Sequence, residues 1–132
     1  MTACGVWPSR QGLVAVLVDA ARRPKLCAVV CGDSRAARWG LVQRLREDGA
    51  AVVVDEALLP ADPIASIALR AGLAVWIAGA PLVPSLRLAA GLMNSPPRTI
   101  AALLARLPSV PWLCGHLRRF EAQDDLWQSP LP

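Results

Sequence analysis

Apolar residues gather in short uninterrupted runs, each stopped by a proline, a glycine or a charged residue. Ala3 to Trp7 ends at Pro8, Leu13 to Val18 at Asp19, and Leu26 to Cys31 at Gly32. Ala50 to Val54 lies between Gly49 and Asp55, and Leu73 to Ala78 between Gly72 and Gly79. Rich in β-branched residues and too short for helices, the runs predict five strands, the fourth buried on both faces like a central parallel strand. Ser9-Arg10-Gln11-Gly12 and Ala20 to Lys25 are turns too short for a parallel crossover, so the first three strands form an antiparallel meander.

Between the later runs the period changes. Ala37, Leu41, Val42 and Leu45 recur at helical spacing after a cap at Asp33 or Ser34, with Gly49 as the stop. Arg38 stands beside this stripe and is expected to snorkel outward from an apolar stem. Asp62-Pro63 opens a short helix over Ile64 to Ala71, and a further helix is expected over Ser85 to Met93. Ser95 is placed to cap a helix over Pro97 to Leu107. The order is βββαβαβα. Right-handed crossovers then set a mixed five-stranded sheet in the order 3-2-1-4-5 with helices on both faces, an α/β arrangement of the ribonuclease H-like kind.

The chain divides at residue 107. Residues 108–132 form a proline-rich tail, in which Trp112, Leu113, Leu117 and Phe120 are spaced for one apolar helical face. Trp127, after Asp124-Asp125-Leu126, reads as an amphipathic anchor. Trp112, Leu117, Phe120 and Trp127 are therefore the candidate contacts to a protein partner or to a second copy, docking back on the chain's own domain being the alternative. Trp7, Trp39 and Trp76 are expected in the core.

Charge alters this picture little. The net charge is +4, and Lys25 is the single lysine. Arg35, Arg38, Arg44, Arg46 and Arg70 form the candidate nucleic-acid surface, with weak and sequence-independent binding expected of so mild a charge. The charge-free window between Arg70 and Arg87 is too short to span a bilayer and contains two prolines, so no membrane partner is expected. The N-terminus shows no basic segment followed by an apolar one, and four cysteines without such a signal point to the cytoplasm. Cys27, Cys31, Cys114 and His116 lack knuckle spacing, so no zinc site is expected.

Asp55 and Glu56 close the fourth strand at the edge where open α/β sheets bind ligands. Their neighbourhood carries a resemblance. Cys4 to Arg10 followed by Leu13 to Asp19 resembles the opening of the RuvC-like domain of DEDD-type insertion-sequence transposases. Trp39 to Glu56 is similar to that family's helix and acidic fourth strand, and Gly72 to Ile77 and Ile100 to Leu107 have counterparts. The resemblance covers residues 3 to about 107. It implies a ribonuclease H-like fold and, in active members, two divalent cations held by carboxylates from the first strand, the fourth strand and a late helix.

This chain departs from that pattern. Trp7 holds the first-strand acid position, and Asn94 to Arg98 offers no acid where the family carries its last pair. Asp55 or Glu56 matches the fourth-strand acid alone. The expectation is an inactive scaffold that works by interaction, without a metal or other cofactor. Two other readings stay open. One is an active magnesium-dependent nuclease using Asp55, Glu56 and Asp19, or Asp125. The other is an actin-like assembly module, for which the Pro8 to Gly12 turn is poor in hydroxyls and acids.

Overall fold

The computed structural model describes residues 2–32 and 34–127. Strands β1 (Ala3–Ser9), β2 (Gly12–Val18) and β3 (Pro24–Cys31) form the antiparallel meander. Helix α1 (Arg35–Glu47) leads to β4 (Ala51–Asp55), and α2 (Ile64–Arg70) leads to β5 (Val75–Ala78). Helices α3 (Leu82–Ala89), α4 (Pro97–Arg106) and the single turn α5 (Pro111–Cys114) follow, and β6 (Leu117–Arg119) ends the sheet. The sheet order is β3-β2-β1-β4-β5-β6, with β4 parallel to β1 and β5 parallel to β4. The connections expected from the sequence therefore hold through five strands, and a sixth extends them. The fold is a mixed α/β sheet with helices on both faces.

Period-two alternation divides the strand side chains between two cores. Cys4, Val6, Val52, Val54, Val75 and Ile77 meet α1 and α2 through Leu41, Val42, Leu45, Ile64 and Ala68. On the other face, Ala3, Val53 and Ala78 meet Val83 of α3 and Ile100 and Leu104 of α4, while Val14, Val16 and Val18 meet Ala101 and Ala105. Small residues let α4 lie almost on the sheet. A Cβ at Gly5 would collide with the Ala101 carbonyl and come within 2.7 Å of the Ala105 amide nitrogen. Gly5 is thus the point where helix backbone passes over strand backbone.

Three local expectations change. No helical face spans Trp112 to Phe120, because Leu117–Arg119 pairs antiparallel with β5 and places Leu117 and Phe120 in the two opposite cores. The open edge of a buried strand needs hydrogen-bond partners, and this demand outweighs a short helical period. The third helix begins at Leu82 and ends at Ala89, with Pro84 inside the first turn where its missing N–H costs nothing. Ser95 does not cap α4: Pro96 is the N-cap residue, and Pro97 leaves fewer amide donors to satisfy.

Ser34 accepts from the Ala37 amide and caps α1. The other expected cap, Asp33, lies outside the described residues, as do Pro130, Leu131 and Pro132 of the tail. Trp39 is 47% exposed and not in the core, since the buried stripe of α1 runs through Arg38, Leu41, Val42 and Leu45. No helix among the described residues is long and apolar enough to cross a membrane.

Candidate functional site at the carboxyl ends of the parallel strands

Strands β1, β4 and β5 run in the same direction, so their carboxyl ends share one edge of the sheet. Gly5 stands opposite Val53; two residues further along these neighbouring strands come Trp7, within β1, and Asp55, the last residue of β4, both on the α4 face. Trp7 is half-buried against the two clusters built on α4. The Arg87 guanidinium lies 5.9 Å from its ring centroid and donates to the Met93 carbonyl at 2.8 Å. Two strands over, on β5, Arg119 lies 5.3 Å from the ring centroid of Trp76. Each tryptophan on this face is therefore covered by an arginine.

Both carboxylates at this edge bind backbone. Asp55 is buried, and its Oδ2 accepts from the Ala57 amide at 3.0 Å, capping a one-turn 3-10 helix over Glu56–Leu58. Its Oδ1 is buried without a hydrogen-bond partner. Burial pushes the Asp55 pKa up; the Ala57 amide opposes the rise, and the charge of Glu56 adds to it. Glu56 turns away and accepts from the Ala80 amide at 2.9 Å, tying the loop after β4 to the loop after β5.

The other candidate acids do not join them. Asp19 follows β2, whose last residue pairs with the first of β1, so it sits at the opposite end of the sheet. About five residues of strand, roughly 16 Å, separate that end from Asp55. Asp19 accepts from the Ala21 and Arg23 amides at 2.9 and 3.0 Å, and these bonds, with the nearby cations, hold its pKa low. Asp125 packs with α2, on the opposite face from Asp55. Its carboxylate is paired with Arg70 at 3.1 Å and accepts from the Trp127 amide at 2.9 Å. Burial raises its pKa, but the Ser66 hydroxyl, the Trp127 amide and Arg70 outweigh that and hold it below the ordinary range.

The arginines divide in two. Arg35, Arg44, Arg46 and Arg70 are exposed, although Arg70 is engaged by Asp125 and Arg35 lies 5.7 Å from the Trp127 ring. Arg38 corrects the expectation of an outward-reaching side chain: it is 2% exposed and takes no part in any surface. Its Nη2 and Nε donate to Asp62 Oδ2 at 2.7 and 3.1 Å, and its Nη1 donates to the Gly32 carbonyl at 2.6 Å. A buried carboxylate and a carbonyl within reach saturate the fork, so snorkelling has nothing to gain. The sequence held a sign of this, an arginine in the apolar stripe and an aspartate in a proline-bounded loop.

The tail candidates are placed mostly on the chain itself. Phe120 is 2% exposed inside the α1–α2 core, Leu117 is half-buried, and the Trp127 Nε1 donates to the Leu59 carbonyl at 2.9 Å. Trp112 stands apart at 75% exposure. Cys27, Cys114 and His116 are exposed, and the Cys31 side chain lies outside the described residues. Among the described residues no three His, Cys, Asp or Glu side chains gather where they could hold a metal ion. Compared with known proteins, the chain matches no protein-family model and no curated protein.

Proposed function

We propose that this chain is a degenerate ribonuclease H-like domain of the RuvC type, serving as an interaction scaffold and not as a nuclease. The observation that carries the reading is the neighbouring pair Trp7 and Asp55. In the transposase-like pattern these neighbouring strands each supply an acid; here the first-strand position is an indole under Arg87. The remaining carboxylate caps a turn, and Glu56 holds a loop. Hard divalent cations need several oxygen ligands around each ion. Among the described residues, those at this edge do not fit a two-magnesium centre.

A second reading, a metal-dependent nuclease, draws on one specific feature: Asp55 Oδ1 is a buried oxygen with no partner. Incubating the protein with labelled single-stranded, duplex and branched DNA in magnesium or manganese separates the two. The scaffold reading expects intact DNA in every case. Cleavage that Asp55→Asn abolishes would establish the nuclease instead. The exposed arginines Arg35, Arg44 and Arg46 support at most weak DNA binding that fades steeply with salt.

A further inference from the structure

We propose that the trough between α4 and β3 binds an elongated organic anion, apolar in its middle and with a carboxylate at each end. The inference goes beyond the scaffold reading and uses none of the residues on which that reading rests.

The trough exists because α4 covers only part of its face of the sheet. Its small residues Ala101 and Ala105 pack on Val14, Val16 and Val18 of β2. Cys27 stands opposite Val16 and Val29 opposite Val14, so both β3 residues point to the same side as the helix. The helix does not cover them: Cys27 is exposed and Val29 is 48% exposed. Between helix and strand lies an open cavity of about 400 Å³, within the range of small-molecule sites. Val16, Pro24 and Ala102 give it apolar walls.

Its two ends are basic. Arg98 and Arg106 line the trough, and with Ala102 they stand at four-residue intervals, in one row along α4. Eight residues of helix separate the two arginines by about 12 Å along the axis. Just beyond α4, the Ser109 carbonyl accepts from Arg22 Nη2 at 2.9 Å, which pins this end of the helix to the turn between β2 and β3. Arg106 therefore stands at the Pro24 end of the trough and Arg98 at the other. Neither guanidinium has an ion-pair partner among the described residues. Among those residues no acid lines the trough. Asp19, in the adjoining turn, is held by the Ala21 and Arg23 amides and lies 3.5 Å from the Arg23 guanidinium.

This distribution of charge selects the occupant. A guanidinium fork takes a carboxylate through two parallel bonds. An apolar stretch between two such forks suits methylene groups. It penalises a polyanion, whose middle charges would lie against Ala102 and Val16 without partners. A ligand with a single carboxylate leaves one arginine unpaired. The Thr99 hydroxyl, beside Arg98 in the same trough, adds a donor at that end.

Sebacate, a straight-chain dicarboxylate, is the probe. Decanoate and decane-1,10-diol have the same chain length with one carboxylate and none. Isothermal titration of the full chain should show sebacate binding, decanoate weaker by about fivefold, and the diol weaker still. Arg98→Gln and Arg106→Gln, checked for folding by circular dichroism, should each weaken sebacate by about fivefold, the upper end for a solvent-accessible ion pair. Sebacate should also slow alkylation of Cys27 by iodoacetamide while leaving Cys114, exposed on the tail, unchanged. Fragment-ion mass spectrometry reads this on the native chain, and it decides if either variant does not fold. A native chain that does not bind sebacate overturns the proposal, as does one that binds decanoate or the diol equally well. So does a folded Arg98→Gln or Arg106→Gln variant with native affinity, or binding that leaves Cys27 alkylation unchanged.

Discussion

Arg38 and Asp62 form a two-pronged ion pair closed off from solvent, their side chains 2% and 10% exposed. Asp62 Oδ1 also accepts from the Ile64 amide at 2.9 Å, so a single carboxylate fixes α1 and the start of α2 together. Removing either partner leaves a buried charge alone. Arg38→Ala and Asp62→Ala should each lower stability by about 3–5 kcal/mol in urea denaturation. Arg38→Lys should recover little of the loss, because an ammonium cannot make both bonds. DNA affinity measured on still-folded Arg38 variants should not change.

Gly5 answers a different kind of constraint. Gly5→Ala adds one methyl group where α4 backbone already lies, so either the helix moves or the strand bends. Thermal denaturation should show a loss of about 3 kcal/mol or more, at the upper end of overpacking costs. The same substitution at Gly40, where nothing lies within 4 Å, should be neutral or stabilise by about 1 kcal/mol through helix propensity.

The tail divides into residues that hold the fold and one that does not. Phe120→Ala should cost about 3–5 kcal/mol, as expected for a large buried aromatic. Trp112→Ala should fall within about 0.5 kcal/mol of the native chain. Truncation after Ser109 removes β6, Phe120 and the Asp125–Arg70 pair together, and should abolish cooperative unfolding. A truncated chain that unfolds like the native one would show that the sheet is complete without β6.

Stability should depend on pH in two opposed ways. The folded state holds the Asp55 proton more tightly than the unfolded chain does. Stability therefore falls as pH rises from the ordinary carboxylate range through the raised value. Asp125 is the reverse: its pKa is lowered on folding, so its contribution is present above the unfolded value and is lost as pH falls through the folded one. Asp55→Asn should flatten the decline on the rising side. Asp125→Asn should flatten part of the acid limb, the rest belonging to Asp19 and Asp124, whose pKa values are also lowered. Urea midpoints measured across the acid range check both signs.

Much of the fold was legible along the chain because the information was local. Runs such as Leu13 to Val18 and Ala50 to Val54 state their own burial, and the short turns between the first three strands permit only a meander. The tryptophan of the first strand and the acid that closes the fourth were equally readable, since each needs only a residue type and a position. Three things depended on which elements meet. Arg38 is surface or core according to whether a carboxylate 24 positions away comes to it. Leu117 to Phe120 is helix or strand according to whether β5 has an unsatisfied edge beside it. Gly5 is an ordinary strand glycine until α4 crosses it. Periodicity reports the face a residue prefers, but an ion pair, a strand edge and a backbone crossing are properties of pairs distant in sequence, and only the assembled structure brings those pairs together.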